Sequence, residues 1–146
     1  MNWKAILALS AFGALMGTVS VFGYTQGIEL SLWIIIAIIS ALILVQRVIQ
    51  RLFLHSLSVG ILDGIWVGII QSLFFTTYMR NNPQMNEGFK EGAFQLTPEF
   101  VLLSSPVIGL VYGLFVGLVT WIVSKLLRRA NASGPDTSGE VHDSRA

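Results

Sequence analysis

Four long apolar runs decide what this chain can fold into. They lie at about residues 3–24, 30–49, 57–78 and 98–127. A helix needs about 20 mostly apolar residues to cross the hydrocarbon of a bilayer, and each run meets that length. Arg47, near the end of the second, can carry its charged head to the interface on its long stem. The chain has 146 residues, of which 53% are hydrophobic and 12% charged. That is about half the charge usual in a soluble domain of this size. The expected fold is therefore an all-α integral membrane protein. Residues 1–129 form one four-helix transmembrane domain, and residues 130–146, rich in Gly, Ser and charge, form a disordered cytoplasmic tail.

Basic residues set the orientation. Lys4 precedes the first span, Arg47 and Arg51 lie between the second and third, and Lys125, Arg128 and Arg129 close the fourth. The connection "YTQGIEL" has no basic residue. Four crossings bring every basic cluster to one side, so both termini are expected in the cytoplasm. The apolar run of the first span is too long for a secretory signal, and it is read as an uncleaved span. In the long connection, Met85, Phe89, Ala93 and Leu96 fall at helical spacing, which suits an amphipathic helix in the interface. "TPE" at residues 97–99 is a helix start. Pro106 then frees the carbonyl of Leu102, so a kink is expected near there, and Ser104 or Ser105 is placed to satisfy the freed group.

Lipid gives no hydrophobic drive between helices, so small residues mark faces where backbones come close. Gly13 and Gly17 make a short stripe on span 1. Gly60, Gly64 and Gly68 make one on span 3, and Gly109, Gly113 and Gly117 one on span 4, flanked by Ser105 and Thr120. Span 2 offers only Ala37 and Ala41. The expected packing is through these Gly-xxx-Gly faces. The likeness of spans 3 and 4 is read as shared packing chemistry rather than as an inverted repeat.

Span 3 carries Asp63 where span 4 carries Tyr112. A carboxylate at the centre of a membrane helix costs about 2.5–3.5 kcal/mol on insertion scales, so it should face protein or water. Counting along each span puts Ser10, Ser40 and Thr120 at its depth. Asp63, Ser10, Ser40 and Thr120 form the candidate proton or cation site. The alternative role is a satisfied acid that fixes helix register. Gln71 and Tyr112 share a second depth as a candidate polar contact. His55 is read as a solvated interfacial histidine. Trp3, Trp33, Trp121, Tyr24 and Tyr78 are read as interfacial anchors.

The net charge of +1 gives no reason to expect nucleic acid, and the absence of cysteine removes disulfide and thiolate chemistry. No phosphate loop, metal-ligand cluster or nucleophile–base pair is visible, so neither catalysis nor a cofactor is expected. "GIWVGIIQSLFFTTYMRNNP", "TPEF" and "GLFVGLVTWIVSKLLRR" together resemble a family of small bacterial four-span membrane proteins, a domain-of-unknown-function family. Gly64, Gly68, Tyr78, Asn82, Pro83, Gly113, Gly117, Arg128 and Arg129 carry the resemblance, which covers the C-terminal two-thirds. It implies a bacterial cytoplasmic membrane and no particular activity. Two functions are weighed. One is a structural or accessory subunit whose partner is a second copy or a larger membrane protein. The alternative is a dimeric ion- or proton-coupled channel or transporter using Asp63.

Overall fold

The computed structural model describes residues 1–48, 50–85 and 96–132. Its helices are α1 (Trp3–Val21), α2 (Glu29–Arg47), α3 (Leu52–Leu73), α4 (Phe75–Asn81) and α5 (Pro98–Ala132). Residues 83–85 add a helical turn, and no strand occurs among the described residues. Helices α1, α2, α3 and α5 are each long and apolar enough to cross a membrane. Most of the proposed interfacial helix, and the tail from residue 133 onward, lie outside the described residues.

Local chemistry sets the helix ends. Asn2 caps α1 by accepting the Ala5 amide at 3.2 Å. That helix stops at Val21, short of residue 24, and Gly23 follows with φ +76°. A Cβ at Gly23 would also stand 2.7 Å from the Asn81 carbonyl oxygen, so both conformation and space require glycine there. The last carbonyls of α1 have no partner within their own helix. Asn82 Nδ2 donates to the Ser20 carbonyl and Asn81 Nδ2 to that of Val21, both at 2.9 Å. Helix α4 delivers these two amides, and it can do so because the third apolar run is not one rod to Tyr78. The run breaks at Phe74 (φ −108°, ψ 31°) and restarts.

Helix α3 begins at Leu52, five residues before the expected position 57. Arg51 turns the chain into it with φ 56°, a left-handed value unusual for a residue with a side chain. The added turn carries His55 and Ser56, which become helical by bonding back: His55 Nδ1 lies 2.9 Å from the Arg51 carbonyl oxygen, and Ser56 Oγ donates to Leu52 at 3.1 Å. At the head of α5 the Thr97 hydroxyl accepts the Phe100 amide at 3.2 Å. The helix runs through Pro106 unbroken, and Ser105 Oγ donates to the freed Leu102 carbonyl at 2.9 Å.

Helix α3 is the hub, packed on α5 along one side and on α1 along another, while α2 leans chiefly on α5. A Cβ at Gly60 would strike the Gly113 backbone, and one at Gly64 would come 2.6 Å from Gly109 Cα. A Cβ at Gly17 would meet Val67 Cα at 3.1 Å. At the end of the bundle holding the N-terminus, Ile6 and Leu9 of α1, Leu44 and Val48 of α2 and its extension, and Val59 of α3 form a buried apolar cluster. Ala37 and Ala41 of α2 are fully buried.

Candidate functional site

Asp63 sits at the middle of α3, eleven residues from Leu52 and ten from Leu73. At about 1.5 Å per residue this is roughly 16 Å from the helix start, deeper than a span beginning at 57 implies. Its exposure is 0%. Ser10, Ser40 and Thr120, the hydroxyls counted to its depth, are each 1% exposed.

None of the three hydroxyls bonds to the carboxylate. Ser10 Oγ donates to the Leu7 carbonyl at 3.0 Å. Thr120 Oγ1 donates to the Val116 carbonyl at 2.7 Å and accepts from Ser56 Oγ at 3.0 Å. The partner of Asp63 is instead a backbone group: the Gly13 amide of α1 donates to Oδ1 at 3.0 Å. Only glycine lets the carboxylate come so close, since a Cβ there would meet Oδ1 at 2.8 Å and the Asp63 carbonyl oxygen at 2.6 Å. Gly13 was selected in the sequence as a packing residue, and it is also the donor. Oδ2 of Asp63 and Oγ of Ser40 are buried without a hydrogen-bond partner.

Gln71 and Tyr112 do not pair. Gln71 Nε2 donates to Ser20 Oγ of α1 at 3.2 Å, and the Tyr112 hydroxyl donates to the Trp33 carbonyl of α2 at 3.1 Å. Each ties its helix to a different neighbour, because α3 faces α1 at that depth while α5 faces α2.

His55 differs most from its sequence reading. It is 3% exposed, and its Nε2 accepts the Asn2 backbone amide at 2.8 Å. With Nε2 accepting, Nδ1 carries the proton toward Arg51. The ring clamps the start of α1 to α3. Sequence reasoning missed both His55 and Ser56 as interior groups by starting the span too late. The signal was present: Ser56 continues the small-residue stripe of Gly60, Gly64 and Gly68 by one turn, as Thr120 continues that of Gly113 and Gly117.

A cavity of about 630 Å³ opens between α2 and the α3–α5 pair, at the end of the bundle away from the N-terminus. Trp33 and Tyr78 both line it. Tyr78 is 4% exposed, and the Trp33 ring meets Tyr112 edge-on with centroids 4.6 Å apart. Trp3, Tyr24 and Trp121 are exposed, and Lys125 Nζ lies 4.0 Å over the Trp121 ring. Glu29, in the first turn of α2, lines the cavity too, and Asp63 does not. Among the described residues no three of His, Asp and Glu gather into a metal-sized group.

The fold and these contacts define the class: an all-helical chain with four helices able to cross a membrane, as a multi-pass protein requires. Comparisons with protein-family models, with curated proteins and with solved structures return no match to this chain.

Proposed function

We propose that this chain is a non-catalytic membrane protein, a structural or accessory subunit that associates with its own copy or with a larger membrane protein. The observation that carries the reading is the enclosure of Asp63. An intramembrane acid that serves transport faces a bundle interior open to water or an ion path. Asp63 has no exposure, lines no described cavity and spends Oδ1 on the Gly13 amide. It acts as a register pin between α1 and α3. The bundle is closed by glycine faces, stands N-in and C-in in a bacterial cytoplasmic membrane, and works through its outer surface.

The association test is the mass of the protein excised from its membrane with a polymer that retains native lipid. A particle containing two or more chains, or this chain with a stoichiometric partner, is expected. A uniform population of single chains contradicts the proposal.

The second reading, a proton or cation site used by a dimer, is favoured by the two orphaned atoms. Asp63 Oδ2 and Ser40 Oγ are buried polar groups with unused hydrogen-bonding capacity, and such groups call for an explanation in any structure.

A further inference from the structure

The cavity beside α2 has a chemistry that the proposal above does not use. Its walls are mostly apolar, and at about 630 Å³ it falls inside the roughly 300–1,000 Å³ range of small-molecule sites. One end differs. Glu29 stands there, with Trp33 one turn further along α2, Tyr78 of α4 and Phe100 from the first turn of α5. Trp33 follows Glu29 by four residues on the same face of α2, and Tyr78 lines the same cavity. Among the described lining residues there is no Lys, Arg or His, and Glu29 is the one charged group.

A first-turn acid complements the helix dipole of α2. A fully solvated carboxylate would do that equally well, whereas Glu29 is half-buried against Trp33. An acid beside aromatic faces at the mouth of an apolar chamber is an arrangement that selects positive charge, because ring quadrupoles and carboxylate attract the same cation once water is excluded. The same lining disfavours a phospholipid. Its phosphate would enter beside Glu29 with no basic residue among the described lining to meet it.

We propose that this cavity binds a lipophilic cation: an apolar body held between α2, α3 and α5, with its positive charge at Glu29 among Trp33, Tyr78 and Phe100.

The test uses two ions of the same shape and opposite charge, tetraphenylphosphonium and tetraphenylborate, titrated into the full-length protein in neutral detergent micelles. The phosphonium is expected to bind at least about tenfold more tightly than the borate, since carboxylate and ring faces both favour the cation. Glu29→Gln should remove that preference without moving the thermal midpoint. Ser104→Phe, which narrows the chamber away from the acid, should weaken both ions. Lysophosphatidylcholine should displace the phosphonium poorly. Equal binding of the two ions by the wild-type protein overturns the proposal and needs no variant to show it. So does phosphonium binding unchanged in a folded Glu29→Gln protein. Displacement by lysophosphatidylcholine at concentrations matching the phosphonium's own affinity would make the cavity a phospholipid groove, and would overturn it as well.

Discussion

Gly60→Ala is expected to destabilise the bundle by about 1–3 kcal/mol, the usual range for forcing extra atoms into a packed core, and Gly60→Leu by more. The new Cβ would meet the Gly113 backbone and, at 2.9 Å, the Gly109 carbonyl oxygen. Backbone atoms of a helix cannot rotate aside as a side chain can, so α3 and α5 must separate. Separation also loosens the Ser56–Thr120 hydrogen bond one turn away. Gly68→Ala offers an internal contrast. The obstacle there is the Ser105 side chain, which can turn away at the cost of its bond to Leu102, so a smaller loss is expected. Val111→Phe adds more volume than either alanine, but at a position 63% exposed on α5, and should be nearly neutral. Thermal denaturation followed by helical circular dichroism in micelles ranks the four. Equal midpoints for Gly60→Ala and Val111→Phe would mean that the α3–α5 seam is not where the helices hold together.

The second large effect belongs to the link between α1 and α3. Asp63→Ala removes the acceptor of the Gly13 amide and leaves a void where the carboxylate stood. A loss of about 1–3 kcal/mol is expected for such a buried deletion. Asp63→Asn keeps a carbonyl oxygen toward Gly13 in nearly the same volume and should stay within about 1 kcal/mol of wild type, because it trades a buried carboxylate for a neutral amide. Gly13→Ala should cost at least as much as Asp63→Ala, since its Cβ would stand 2.8 Å from Oδ1 and 2.6 Å from the Asp63 backbone carbonyl oxygen, which forces α1 and α3 apart. The double variant Gly13→Ala, Asp63→Ala should then cost less than the sum of the two, as residues sharing one contact do. Strict additivity, measured by the same denaturation, would show that the two residues stabilise the bundle independently.

The four helices were legible because continuous apolar runs have one solution in lipid, and polar connections with Gly, Pro or charge separate them. The burial of Asp63 was legible for the same reason, since nothing in a membrane interior makes an exposed carboxylate cheap. Its partner was not. Sequence letters name side chains, so counting hydroxyls by depth found Ser10 and Thr120, while the actual donor is a main-chain amide that every residue but proline possesses. What singles out Gly13 is the missing side chain, and that reads equally well as packing.

The helix limits failed where local bonding outweighed polarity. "RLFLHS" looks like a connection because it holds a base, a histidine and a serine. Yet Ser56 and His55 satisfy themselves on the preceding turn and point inward. "FFTTYMRNN" looks like the end of a span, but its two asparagines donate to the Ser20 and Val21 carbonyls at the end of α1. That Trp33 and Tyr78 turn toward a cavity was not legible, because nearness to a run's end fixes the depth of an aromatic ring and not the direction it faces. The cavity they line depends on how α2 leans on α5, a matter of tertiary contact that no spacing within one helix records.

The most direct measurement is proton and cation flux into vesicles carrying the purified protein, driven by an imposed pH or ion gradient, for wild type and for Asp63→Asn reconstituted to equal density. If Asp63 is the pin between α1 and α3, vesicles with wild-type protein leak no faster than protein-free vesicles, and Asp63→Asn changes nothing. A gradient-dependent flux in the wild type that disappears in a folded Asp63→Asn protein would contradict the account, and would make the buried carboxylate the working part of a transporter.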